Sequence, residues 1–175
     1  NGVSKLSKIS ENGKDQIVKI ATKGEVMGQR SLIAEEATNL SAVALNDMEV
    51  CYIPKSNITK TLTDNPAFVA AILKHMAQEL KQADDLIVNM AQKSVSQRIA
   101  EVLLYLEKNF GCDEAGYFNL VLSRADIAAV VGTATELCIR TLAKMKKQQL
   151  IATKGKRIRI LNKEGLMQLQ NGSKF

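Results

Sequence analysis

Eight basic residues (Arg140, Lys144, Lys146, Lys147, Lys154, Lys156, Arg157, Arg159) and no acidic one fall between Arg140 and Arg159. A run of that kind raises the local potential and attracts polyanions, because neutralising phosphates releases their counterions. The charge is not shared evenly along the chain. Residues 1–93 hold 11 Lys+Arg against 11 Asp+Glu, whereas residues 94–175 hold 13 against 7, which is the whole net charge of +6. The plain alternative for such a run is a solvated basic face, so the elements that carry it decide between the two. Material for covalent or metal chemistry is sparse. There is one histidine, His75, and the three cysteines (Cys51, Cys112, Cys138) are far apart and share no short metal spacing. No GxSxG, HExxH, P-loop or GxGxxG pattern occurs, so an enzyme is not expected and no catalytic or metal-binding residues are assigned.

Composition agrees with a globular chain of one to two domains: 175 residues, 46% apolar and 24% charged. No apolar run approaches the ~18–20 residues needed to cross a bilayer, and nothing resembles a signal peptide. Odd, scattered cysteines suit a reducing compartment, so a cytoplasmic setting without membrane partners is expected. The chain opens on Asn1 rather than Met, from which a missing N-terminal portion is expected.

The basic run must be positioned by what precedes it. Residues 1–53 read as β structure. Val3–Ser10 and Gln16–Ile20 are rich in β-branched residues and flank Asn12-Gly13, a dipeptide suited to a tight hairpin turn. Further strands are predicted at Leu40–Leu45 and Glu49–Ile53, with bends at Gly24 and Gly28 and a stop at Pro54. From Asp64 the period changes. Asp64 or Asn65 can cap a helix with Pro66 in its first turn, and Val69, Leu73, Met76, Leu80, Ala83, Ile87 and Met90 follow at alternating spacings of 4 and 3. That heptad register over 64–93, roughly 40 Å long, predicts a coiled-coil seam between two identical chains, the alternative being a helix laid along its own core. Residues 94–110 form a second amphipathic helix (Ile99, Val102, Leu103, Leu106, Phe110) ended by Gly111, and Tyr117–Leu122 reads as a short strand.

Ser123 with Asp126 then approximates a capping box for a short helix burying Ile127, Ala128 and Val131. Gly132 offers a sharp turn. Thr133 with Glu136 signals the start of another helix, with Leu137, Thr141, Leu142 and Met145 inward and Thr135, Glu136, Ile139, Arg140 and Lys144 outward. Cys138 on this helix reads as a small, partly buried residue. A strand from Leu150-Ile151, a turn at Lys154-Gly155-Lys156 and a returning strand Arg157–Leu161 complete a helix-turn-helix followed by a basic β-wing. The fold class predicted is α+β: a partial β-roll over 1–63, a dimerisation helix over 64–93, and a winged helix-turn-helix over 94–175.

In this order, GEVMGQRSLIAEE, the long helix, SVSQRIAEVLLYL and DIAAVVG…E…R…L, the chain resembles the cyclic-AMP receptor protein / fumarate–nitrate reduction regulator (Crp/Fnr) family of bacterial transcription factors over nearly its whole length. The resemblance implies a homodimer that binds double-stranded DNA, with the helix after Gly132 in the major groove and Glu136 and Arg140 at the base-reading positions. Their chemistry fits, since Arg pairs bidentately with guanine O6 and N7 and a carboxylate accepts from cytosine N4. Against this stands a simple cap at Glu136 and an i,i+4 ion pair with Arg140. Ile139 departs from the small or polar residue common before that Arg and offers a surface to a thymine methyl; Thr135 stands beside it. Ser123, Arg124, Thr133, Lys144, Lys154, Lys156 and Arg157 are expected at phosphates, which position without specifying. RNA polymerase is a further partner if the protein activates.

In the sensor half the resemblance breaks down. Cyclic-AMP binders of the family carry a Glu after the cassette glycine and an Arg just before a Ser/Thr-Ala pair. Here Gln29 follows Gly28, and Leu40 precedes Ser41-Ala42, so neither the carboxylate nor the phosphate partner is present. Gly28, Gln29, Arg30 and Ser41 remain the candidate effector positions, with cyclic AMP disfavoured and the effector unknown. Iron–sulfur sensing needs clustered thiolates, which Cys51, Cys112 and Cys138 do not form, although the expected missing portion could supply them. His75 beside Met76 reads as an interface or surface histidine rather than a haem ligand. The alternative from another class is a regulatory or scaffold module whose winged helix binds a protein.

Overall fold

The computed structural model describes residues 1–11 and 13–172. Three antiparallel strands, β1 (Ser4–Ile9), β2 (Asp15–Ala21) and β3 (Ser41–Ala44), form a sheet in the order β2-β1-β3. The register shifts between Leu6 and Ser7, a bulge of the kind that bends a strand. The predicted hairpin is present, but Asn12 of its turn lies outside the described residues. Gly24 and Gly28 both take φ 87, which a side chain would resist, and Gly28 starts a short helix, α1 (Gln29–Ile33).

Glu49–Ile53 is not a strand. Asn1 and Glu49 exchange backbone hydrogen bonds, but the stretch finds no ladder beyond that, and Val50 and Tyr52 stand 66% and 84% exposed. A β-prone run without an edge to pair has no reason to stay extended. Pro54 opens a helix instead, α2 (Lys55–Asp64). This helix has no buried residue, and Thr59, Thr61 and Thr63 each donate to the carbonyl four residues back.

The long helix α3 (Pro66–Gln92) spans 27 residues, with the Asn65 side chain accepting from Phe68 N and Pro66 at its first position. Leu73, Leu80 and Ile87, seven apart, are exposed by more than 60% each, whereas Val69, Met76 and Met90 are half-buried against their own chain. At its far end α4 (Val95–Phe110) begins with a reciprocal Ser94–Gln97 capping box. Arg98 of α4 donates to Met90 O and Lys93 O, both at 2.9 Å, and to Gly132 O at 3.5 Å, clamping the junction between the two helices.

The remaining chain builds α5 (Arg124–Val131), α6 (Thr135–Lys147), the hairpin β4 (Ile151–Lys154) and β5 (Arg157–Ile160), and a closing helix α7 (Lys163–Gln170). Tyr117–Leu122 is not a strand. It makes one bridge, Cys112 to Phe118, and a hydrogen bond from Phe118 N to Ile158 O, while Phe118, Leu120 and Leu122 are buried as loop side chains. The core centres on Ile99, Leu103, Leu106, Ile127, Val131, Leu142, Met145, Ile151 and Leu166, and Val3, Ile17 and Ile20 of the sheet join it.

Candidate nucleic-acid interface

The two helices of the motif are fixed by local signals. Ser123 Oγ accepts from Asp126 N at 3.0 Å while the Asp126 carboxylate accepts from Ser123 N at 3.1 Å, so two orphan donors of α5 are satisfied reciprocally. Gly132 ends α5 at φ 70, ψ 53, the left-handed conformation that lets the chain turn at once into α6. The predicted Thr133 cap is replaced by Ala134, whose side chain makes no capping bond. Thr133 instead donates its backbone N–H to Ala128 O, as part of the turn.

Which face of α6 meets solvent follows from its buried side. Cys138, Leu142 and Met145 point inward at spacings of 4 and 3, and Cys138 and Met145 are 0% exposed. Cys138 is therefore fully rather than partly buried, and Leu137, expected inward, is exposed. Burial pushes the Cys138 thiol up to about 11, because its charged form would sit without water. Glu136, Ile139, Arg140 and Lys144 stand exposed on the other side, with Thr135 half-buried at the start.

Beside α6, the wing carries Lys154 and Lys156 exposed around Gly155, at φ 59. Arg157 and Arg159 are less free. Arg157 is paired with the Asp113 carboxylate, and the two guanidinium carbons lie 4.6 and 5.4 Å from the centre of the Tyr117 ring, within cation–π range. Asp113 also accepts from Tyr117 N and Ala115 N. The Tyr117 amide first of all, then Arg157, holds its carboxyl below the usual carboxylate range. Arg124, the first residue of α5, donates to Lys156 O and Gly155 O, each at 3.2 Å.

A second contact ties the sheet to the motif. Lys5 Nζ of β1 lies 2.6 Å from Asp126 Oδ1. Burial raises the Asp126 carboxyl, but the bonds from Lys5 and Ser123 outweigh it and leave it below its ordinary value. A cleft of about 370 Å³ adjoins this pair, with Lys5, Lys14 and Asp15 on one wall and Thr133, Thr135 and Glu136 on the other.

The candidate effector residues lie at the start of α1 (Gly28, Gln29, Arg30) and on β3 (Ser41). Gln29 spends its amide on the long helix, Nε2 to Glu79 Oε2 at 3.2 Å. Glu79 also meets Lys19 at 2.9 Å and lies 3.6 Å from His75 Nε2. Burial raises the Glu79 carboxyl, but Lys19 and its other partners hold it below its usual value. Arg30 and Ser41 are exposed, and Ser41 pairs with Ser7 in the sheet. Among the described residues, no three His, Cys, Asp or Glu side chains are grouped to hold a metal, and no helix is long and apolar enough to cross a membrane. The Arg98 clamp, the Lys5–Asp126 pair and the Glu79 hub were not foreseen from the sequence, since each depends on how the end of a long side chain meets a group that only the folded chain brings near.

The family models match two parts of the chain: a cyclic nucleotide-binding domain over residues 1–65 and a Crp-like helix-turn-helix domain over residues 97–169. The chain belongs to the Crp/Fnr family. Similar relatives include the fumarate and nitrate reduction regulatory protein of Vibrio cholerae, 29% identical over 99% of this chain and 70% of that protein. Another is the transcriptional activator protein Anr of Pseudomonas protegens, 27% identical over 99% of this chain and 71% of that one. The same fold occurs in FixK2 of Bradyrhizobium japonicum, with TM-score 0.82, 24% identity, and 99% and 86% of the two chains covered. It occurs again in a family regulator from Eubacterium rectale, with TM-score 0.83, 19% identity, and 98% and 78% covered. This Crp/Fnr protein is thus a DNA-binding transcription regulator rather than an enzyme, and its first 65 residues match a domain of the cyclic-nucleotide-binding type.

Proposed function

We propose that this regulator works in the cytoplasm as a homodimer that reads a pseudo-palindromic operator through two α6 helices about 34 Å apart. The observation that carries the reading is the division of α6: Cys138, Leu142 and Met145 lock one side into the core while Glu136, Ile139 and Arg140 face solvent together. Arg140 suits guanine, Glu136 suits cytosine N4, and Ile139 suits a thymine methyl. Lys154 and Lys156 on the wing, Lys144, Ser123 at the start of α5 and Thr133 in the turn suit backbone phosphates. The exposed Leu73, Leu80 and Ile87 support a seam with a second copy, which would bring Val69, Met76, Ala83 and Met90 alongside. Cyclic AMP is not the effector in this reading, because the Gln29 amide is bonded to Glu79 and Leu40 offers no charge to a phosphate.

Selection of sites from a randomised duplex pool tests the proposal, with wild type beside Glu136→Ala and Arg140→Ala. The expected result is a two-fold symmetric consensus that loses one symmetric G·C preference in each variant. Salt-sensitive binding with no consensus, or a consensus that both variants leave intact, refutes the assignment of the readers.

A further inference from the structure

We propose that Arg124 is the positioning residue of the wing: its guanidinium grips the carbonyls of Gly155 and Lys156 and so sets where Lys154 and Lys156 meet the DNA backbone. The inference rests on the DNA-binding reading and deepens it.

The wing is a hairpin of two four-residue strands, with no third strand beside it among the described residues. A two-stranded ribbon is marginally stable by itself, and this one gathers Lys154, Lys156 and Arg157 about its turn, where like charges repel. Its base is anchored by Phe118 N to Ile158 O, by Arg157 on Asp113 and by Arg159 Nη1 to Ala115 O at 3.3 Å. Arg157 adjoins the turn, but none of those bonds engages Gly155 or Lys156 at its tip. Arg124 does, with Nη1 on Lys156 O and Nη2 on Gly155 O. Two donors in one rigid plane match two successive carbonyls, a geometry that a flexible ammonium cannot supply.

The root of that side chain is rigid as well. Arg124 follows the Ser123 cap directly, and Asp126 in the same turn is held by Ser123 and by Lys5. The wing tip is thereby referred to the first turn of α5 and not only to its own base. A phosphate contact by Arg124 would depend on its charge. A positioning role depends on the fork, and the two separate experimentally.

Binding of full-length wild type, Arg124→Lys, Arg124→Ala, Lys154→Ala/Lys156→Ala and the triple variant carrying Arg124→Lys would be measured by fluorescence anisotropy. The probe is a duplex bearing the selected consensus, titrated over a range of potassium chloride. Amide hydrogen exchange at Gly155–Arg157 is read on the same proteins without DNA, beside thermal unfolding to show that each variant folds. If Arg124 positions the wing, Arg124→Lys keeps the charge yet speeds exchange at the turn. It also lowers the salt slope by up to about 1.8, the share of two phosphate contacts, and the two lysine substitutions then add little. Wild-type exchange and slope in Arg124→Lys, with a loss of about 0.9 in the slope only for Arg124→Ala, would make Arg124 an ordinary phosphate contact and overturn the inference. If wild type binds no duplex in a salt-dependent way, the DNA reading fails. Exchange at the turn still decides whether Arg124 holds the wing.

Discussion

Replacing Gly132 by Ala probes the turn on which the presentation of α6 depends. The residue sits in the left-handed region, at φ 70 and ψ 53, where a Cβ costs roughly 1–2 kcal/mol. That Cβ would lie 3.0 Å from Met90 Cε and 3.3 Å from Gln16 Oε1. Both are ends of flexible side chains, so shifts of a few tenths of an ångström relieve them and the backbone term dominates. The expected loss is about 1–2 kcal/mol, a fall in Tm of roughly 2–8 °C for a chain of this size. Thermal and urea unfolding of Gly132→Ala, Gly132→Asn and Gly132→Ala/Met90→Ala would separate the causes. Asn tolerates the left-handed conformation better and should recover part of the loss, whereas removing Met90 should not. A Gly132→Ala protein as stable as wild type, or one rescued fully by Met90→Ala, would show that the contact rather than the conformation governs the site.

Three further outcomes are expected. Cys138, buried and with its thiol raised to about 11, should react with an aromatic disulfide far more slowly than the exposed Cys51 and Cys112. A raised thiol stabilises the fold below the unfolded value near 9 and loses that contribution as pH rises towards 11. Wild type should therefore lose about 1 kcal/mol more than Cys138→Ala between pH 8 and 10, and parallel urea curves at the two pH values would contradict this. Asp126 is lowered, so its contribution is present above the unfolded carboxylate range near pH 4 and disappears as pH falls below it. Lys5→Ala should cost about 1 kcal/mol at pH 7 and progressively less as pH falls through the lowered Asp126 value, and a deficit that does not shrink on acidification would show that the pair is not electrostatic. Leu80→Lys on the exposed stripe should shift sedimentation from dimer towards monomer while leaving the far-UV spectrum unchanged; an unshifted dimer would place the seam elsewhere.

The recognition unit was legible because its signals are local. Ser123, Asp126 and Gly132 each act within one turn of chain, and the wing is announced by a glycine between lysines. Helical phase was read less well. With Leu137 and Cys138 adjacent, apolar ranking favoured Leu137, yet packing against the core selected Cys138, Leu142 and Met145. Glu49–Ile53 shows the opposite limit: its residue types suit a strand, and only the sheet decides whether an edge is there to receive it. The helix α2 hid behind threonines, whose hydroxyls bond the backbone within the helix instead of declaring a buried face. Lys5 and Asp126 are 121 positions apart, and no period in the sequence relates them.

The Glu79 hub and the Arg98 clamp together give the long helix the mechanics of a lever. Gln29 and Lys19 hold it at Glu79, thirteen positions before it ends at Gln92, or about 20 Å of rod at 1.5 Å per residue. With Glu79 as fulcrum, a tilt of about 10° carries the Gln92 end sideways by roughly 3.5 Å. Arg98, bonded to Met90, Lys93 and Gly132, joins that end of the helix to the turn before α6. A displacement of that size at the Gln92 end would equal about one base-pair step of DNA.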